Sequence, residues 1–381
     1  VPARFLYNST TIINESRSHE TVWRRLSQFQ DIDRSTDRLM NQRPEIPSTQ
    51  RGNVRKQIQE MAFSIAQAKE FFRSAEICGP STRALQAYYG LTALANVLIL
   101  WDGTGDDSFG RRDGRFNSHG LELKIGNEVL EFGAEAKRHR DGTLNGLFGL
   151  WRSYATHIPH YAERHFQFGS ESGTSRHEPV SSVTMLSELP FPSTPLTLLE
   201  AMLHLPDLQQ SLQSFGKNPK LVRGRMESLG IFDDTNSLTN ATLIYTLHPS
   251  PSAARMAVMD KFLFKPVMYE DIIIQAPPNG AVITVNTMRA MQDWSSPEAF
   301  SGSTKQLYLV GDGDYLSEFG FYYISLYIAG MIARYHPNKW IKETSTNSIS
   351  TALIDELVDS SIKRVPLLLL SALERSVFIY E

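Results

Sequence analysis

From Ala84 to Trp101 the chain reads ALQAYYGLTALANVLILW, its longest nearly unbroken apolar run. Leu85, Tyr88, Tyr89, Leu91, Ala95, Leu98 and Ile99 recur at three- and four-residue steps, which predicts a helix with one wide apolar face. Ala93, Leu94 and Val97 widen that face almost to a full circle, so the helix belongs inside a bundle, contacted from several sides. Pro80, Ser81 and Thr82 supply a start, and Asp102, Gly103 and Gly105 a stop. A run of about eighteen residues approaches the length of a membrane span. Two tyrosines, Gln86, Thr92 and Asn96 interrupt it and no basic flank follows, so the expectation is a soluble core helix without membrane contact.

Asn53 to Arg73 predicts a long amphipathic helix, with Ile58, Met61, Ile65, Ala68, Phe71 and Phe72 opposite Arg55, Lys56, Gln59 and Glu60. The short connection Cys78 to Thr82 makes the two helices antiparallel neighbours. Residues 1 to 50 read as polar and irregular apart from a helical pattern at Thr21 to Phe29, and Arg34, Arg38, Arg43, Pro44 and Pro47 read as a surface connection. That segment is expected to wrap over the body.

Leu121 to Ile125 and Glu128 to Phe132 alternate across Gly126-Asn127 as a β-hairpin. Gly146 to Tyr154 is helical, 169 to 181 a loop, and Pro195 to Leu212 a helix interrupted at Pro206. Ala241 to Leu247, Asp271 to Ala276, Ala281 to Val285 and Leu307 to Val310 are short strands, the second and third joined through Pro277-Pro278-Asn279-Gly280. Glu318 to Tyr335 repeats the texture of the opening helix, and Leu353 to Ile362 and Pro366 to Leu373 complete a helical end. The expected fold is α+β and predominantly helical, a bundle with an inserted small antiparallel or mixed β region. Its expected divisions are an N-terminal extension (1–50), a helical region with a hairpin (51–165), a middle α/β region (166–310) and a C-terminal helical region packing on the core (311–381).

Composition narrows the class. With 41% hydrophobic and 21% charged residues and a net charge of -3, the chain of 381 residues looks like an ordinary soluble protein rather than a basic nucleic-acid binder. The single cysteine, Cys78, excludes an intrachain disulfide and a cysteine-rich zinc site, and fits a reducing cytoplasm. VPARFLYNST lacks the charged-then-apolar pattern of a secretion signal, so a cytoplasmic location is expected.

Arg111, Arg112, Arg115, Lys124, Lys137, Arg138, His139, Arg140 and Arg152 fall within about forty residues, interleaved with Phe109, Phe116 and Trp151. Asp106, Asp107, Asp113, Glu122, Glu128, Glu131, Glu135 and Asp141 nearly cancel them. Arg111, Arg112, Arg115, Lys137, Arg138 and Arg140 are the candidate contacts to a phosphate backbone. His157, His160 and His165 are interrupted by Pro159 and lack a carboxylate cluster, so they read as surface residues rather than metal ligands. Gly311-Asp312-Gly313-Asp314 lacks the lysine of a phosphate loop and reads as a turn with a helix cap. No metal site and no cofactor is expected.

Arg83 to Leu100, with Tyr88-Tyr89-Gly90-Leu91 followed by Leu94-Ala95 and Leu98, resembles the corresponding helix of YaaC-like bacterial proteins. His119-Gly120-Leu121, the segment ending Leu205-Pro206-Asp207-Leu208, and Arg334-Tyr335-His336-Pro337 with Trp340 extend the resemblance over residues 60 to 375. The helix style is also similar to that of HEPN-type domains, which implies a HEPN-like helical bundle. The resemblance implies a bacterial protein, of a kind found in systems associated with antiphage defence. It also implies a protein partner or homo-oligomer, with RNA or DNA as a further ligand.

HEPN domains include metal-independent ribonucleases that use an arginine and a histidine four to six residues apart. The histidine works as general acid or base and the arginine stabilises charge on the phosphate. Arg152 and His157 have four intervening residues on a predicted helix and are the catalytic candidates; Arg112 and His119 have six but cross Gly114. About two such pairs are expected by chance in a chain of this composition. The leading expectation is a partner-binding component of a bacterial system such as antiphage defence. An RNA endonuclease using Arg152 and His157, and a purely structural protein-binding subunit, are the alternatives.

Overall fold

The computed structural model describes residues 5–7, 9–14, 18–103, 105–159, 163–168, 171–175, 181–183, 185–232, 238–248, 252–263, 272–275, 281–286, 299–300, 303 and 306–380. The first helices are α1 (Ser18–Gln28), α2 (Ile32–Gln42), α3 (Arg51–Ile77), α4 (Arg83–Asp102) and α5 (Gly146–Tyr154). Then come α6 (Leu198–Met202), α7 (Gln209–Ser214), α8 (Ser252–Leu263), α9 (Glu318–Tyr335), α10 (Pro337–Ser345) and α11 (Ile349–Glu374). The protein is a predominantly helical α+β fold.

Helix α4 is buried on nearly every side, as an all-apolar circumference requires. It is long and apolar enough to cross a membrane, but it is spent inside the core, where α3, α5, α9 and α11 pack against it. The α3–α4 hairpin is its closest pairing. Gly90 permits it, because a Cβ there would meet the Phe72 ring at 2.9 Å. Tyr88 of α4 meets Tyr323 and Tyr327 of α9 edge-on, at 6.1 and 5.6 Å between ring centroids.

The first strands are β1 (Phe5–Tyr7), β2 (Thr10–Ile13), β3 (Leu121–Lys124), β4 (Gly133–Ala136), β5 (Glu163–Phe168), β6 (Glu171–Ser175) and β7 (Ser181–Val183). The rest are β8 (Leu196–Thr197), β9 (Leu221–Phe232), β10 (Leu238–Leu247), β11 (Ile272–Gln275), β12 (Ala281–Asn286), β13 (Ala299–Phe300), β14 (Leu307–Val310) and β15 (Val377–Tyr380). An eight-stranded sheet runs β11-β12-β10-β9-β14-β13, and β5, itself paired to β6, runs parallel to the far half of β9. Smaller sheets are β3-β4-β8, β1-β7 and the parallel pair β2-β15.

Several elements differ from the pattern expected of the sequence. The hairpin partner of β3 is residues 133–136 rather than Glu128 to Phe132, because Glu128 and Glu131 form a capping box around a helical turn that buries Val129 and Leu130. The connection at Arg34 to Arg43 is largely helix α2, started by Asp31, whose side chain accepts from Arg34 N. Residues 169–181 contain β6 and the start of β7. The two C-terminal helical segments are one helix with Pro366 inside it. The β11–β12 pairing matches expectation, while its turn Pro277 to Gly280 and His160 lie outside the described residues.

The N-terminal segment is fastened to the bundle. Arg38 binds Glu374 through two contacts and covers the Phe29 ring at 4.8 Å, while Arg43 donates to the Asp102 and Gly103 carbonyls. Arg375, in the left-handed conformation after α11, donates to the Asp102 carboxylate at 2.9 Å. Deeper in, Arg364 and Glu318 form a two-point ion pair at 2.7 Å, with side chains 3% and 4% exposed.

Removing one partner of such a pair leaves a buried charge without compensation, so Glu318→Ala should cost about 3–5 kcal/mol. The double variant Glu318→Leu/Arg364→Met should lie closer to wild type in urea denaturation. Burial raises the Asp102 carboxyl to about 6, against the pull of Arg375 and Arg43. The folded chain therefore holds this proton more tightly than the unfolded one. Its stabilising contribution is complete below about pH 4 and is lost as pH rises through 6. Unfolding measured from pH 4 to 7 should show a shallower decline with rising pH in Asp102→Asn than in wild type.

Candidate nucleic-acid interface

Helix α5 starts where two backbone segments touch. Gly120 and Gly146 have φ of +79° and +67°, and a Cβ on Gly120 would meet the Asn145 carbonyl at 2.2 Å. That contact lets Leu147 N reach the Ser118 carbonyl and Phe148 N the His119 carbonyl, at 2.7 and 3.1 Å. Arg152 falls in the last turn of α5, whereas His157 lies beyond the helix in an extended stretch in which Thr156 bridges to Met185. The two candidates therefore do not share one helix.

Both are buried, at 5% and 2% exposure, and their polar ends meet main-chain carbonyls. Arg152 Nη2 donates to Leu189 and Tyr315 at 2.7 and 3.3 Å, and its guanidinium covers the Phe191 ring at 5.2 Å. Burial, with Arg138 adding repulsion, brings its pKa down to about 10. His157 Nε2 lies 2.7 Å from the Asp314 carbonyl, and His204 Nε2, stacked on Phe321, lies 3.0 Å from that of Asp312. Three side chains from separate parts of the chain thus hold carbonyls 312, 314 and 315 of one loop. That loop leads into α9, whose first turn is capped by Ser317.

The basic residues divide in two. Arg112 is half-buried and committed, donating to Asn96 Oδ1 at 2.8 Å and to the Asp107 carbonyl. Arg138 likewise joins the Gly142 carbonyl to that of Phe191. Arg111 and Arg115 are exposed and lie 3.9 and 3.3 Å from Asp106 and Asp113. Lys137 and Arg140 are exposed. The two stretches adjoin one another: Arg115 and His139 both help to lower the Asp141 pKa, after the bonds from Thr143.

His119 lies between Tyr88, Tyr327 and the cations Lys137 and Arg334. Its Nδ1 is 2.8 Å from the Tyr88 hydroxyl, and its ring lies beside Tyr327. Lys137 N donates to the Gly120 carbonyl next door, and Arg334 donates to the Tyr89 hydroxyl at 2.8 Å. Burial depresses the His119 pKa first, and Arg334 and Lys137 push it down further. His119 is half-buried and flanked by cations; Arg/His spacing pairs it with Arg112 across Gly114, a weaker fit than Arg152 and His157, and it also lies in the His119-Gly120-Leu121 motif. Among the described residues, no group of three or more His, Cys, Asp or Glu side chains is placed to hold a metal.

The family model described as "YaaC-like Protein" matches residues 27–373. The chain belongs to the YaaC-like family. The match takes in α2 through α11, and so includes the bundle, the sheet and the His119 region. No curated protein and no solved structure matches this YaaC-like chain.

Arg152→Ala and His157→Ala should each lower stability by about 1–3 kcal/mol, because each leaves a buried carbonyl without its donor. Hydrogen exchange should quicken at the amides of residues 311–316 in both variants. Unchanged exchange there would show that the loop is held by something else.

Proposed function

We propose that this YaaC-like protein is a nucleic-acid-binding component of a bacterial system, acting with a protein partner, and that its ligand face is the region around His119. The observation that carries this reading is geometric: Arg334 on the Tyr89 hydroxyl and Lys137 N on the Gly120 carbonyl bring two cationic residues beside half-buried His119, in a chain whose net charge is -3. Arg111, Arg115 and Arg140 are exposed and are further candidates for phosphate contacts. Arg152 and His157 favour a structural over a hydrolytic role, since Arg152 Nη2 and His157 Nε2 are engaged with backbone carbonyls. The packing of α3, α4, α9 and α11 fits a HEPN-like core, and the antiphage setting implied by the family resemblance fits a binding component.

Anisotropy with labelled RNA and DNA oligonucleotides tests this. Lys137→Glu/Arg140→Glu should weaken binding by tenfold or more and flatten its salt dependence, because two phosphate contacts are lost. Arg138 is a poor choice for this test, as it also ties two loops together. If wild type binds no oligonucleotide at low salt, the reading fails. A second reading rests on His119, whose imidazole is oriented by Tyr88 at the edge of the same face. RNA cleavage in chelator that survives Arg152→Ala and disappears in His119→Ala would make the protein a metal-independent ribonuclease with a different histidine.

A further inference from the structure

One row of aromatic side chains is left on the outside of the α3–α4 hairpin. Glu60, Phe63, Gln67 and Phe71 follow one another on α3 at steps of three and four and so share a face. Phe63 is 66% exposed. At one end of the row, Phe109 arrives from the 105–116 turn, 49% exposed, with its backbone N–H fixed to Glu60 Oε2 at 2.8 Å. Arg112, itself held by Asn96 of α4, places its guanidinium 5.1 Å above the Phe109 ring. At the other end Phe71 lies 5.5 Å from Tyr89, whose hydroxyl accepts from Arg334. Arg334 in turn covers Tyr335, which is 59% exposed.

We propose that this aromatic row receives the unpaired bases of a single strand, so that the nucleic acid bound by this protein is single-stranded. The inference rests on the nucleic-acid reading above and names its ligand class. Glu60 to Phe71 covers roughly 16 Å of helix axis, enough for several bases at about 3.4 Å each. Exposed Phe63 and backbone-anchored Phe109 provide π-faces for stacking, and Arg334 beside Tyr89 provides positive charge for phosphates, which is what an extended strand needs. In a duplex the base faces are already stacked on one another, so a double helix gains nothing from exposed phenylalanines. Exposed Arg334, bonded to the Tyr89 hydroxyl at the end of the row, favours a polyanion over an uncharged protein surface.

The test uses the full chain and a labelled single-stranded RNA, the same sequence as DNA, and the corresponding duplex. These are titrated into wild type, Phe63→Ala, Phe109→Ala and Phe109→Trp. Both phenylalanines are exposed, and circular dichroism serves as the check that the variants fold. Wild type should prefer single strands over duplex by at least tenfold, and each alanine should lower single-strand affinity by roughly tenfold while leaving duplex affinity unchanged. Phe109→Trp should retain binding, since a larger π-face replaces the ring. Equal affinity for single strand and duplex, or alanine variants that bind single strands like wild type, overturns the inference while the phosphate-binding face stands. Absence of binding to any nucleic acid overturns both readings. If the alanine variants instead lose self-association in size-exclusion chromatography with oligonucleotide affinity unchanged, the row is a protein-docking surface and the proposal falls.

Discussion

A helix with no polar side has to be surrounded, and much of the architecture follows from that requirement on α4. Helices α3, α5, α9 and α11 pack around it, and three of them approach it with aromatic or small side chains. Tyr88 of α4 and Tyr327 of α9 show how a ring can fill that core while its hydroxyl finds a partner. Tyr88 is buried, yet its hydroxyl emerges at His119, and Tyr327 donates to the Leu121 carbonyl. The same side chains that fill the core therefore also position the half-buried imidazole at its edge.

Buried arginines and histidines in this fold serve as fasteners. Arg364 joins α11 to α9 through Glu318, and Arg152, His157 and His204 hold successive carbonyls of the loop before α9. A guanidinium suits this use because several donors diverge from one rigid plane and can satisfy carbonyls from different segments. The cations that remain exposed, Lys137, Arg140 and Arg334 among them, lie on loops and helix ends. There the chain can change without disturbing the core.

What the sequence made legible divides along the same physical line. The boundaries of α4 and α9 could be read almost to the residue, because apolar periodicity and capping residues are local signals. Strand β9 escaped, since its alternating Arg223, Arg225 and Glu227 resemble a polar linker until its neighbours are known. The pairing of β2 with β15 was equally invisible, as no local pattern specifies a partner at the other end of the chain. At the site, spacing singled out Arg152 and His157 and said nothing of their burial. His119 needed the fold, because its partners Tyr88, Lys137 and Arg334 are supplied by three different elements.

The parallel pairing of Thr10–Ile13 with Val377–Tyr380 also bears on how the protein is made. Strand β2 leaves the ribosome with its partner still untranslated, and α4 waits, over a shorter stretch, for α9 and α11. Closing so long a loop is a late and entropically costly event. A nascent chain stalled before β15 would present an unpaired β2 edge and an incompletely covered apolar helix, both of which invite chaperones or aggregation.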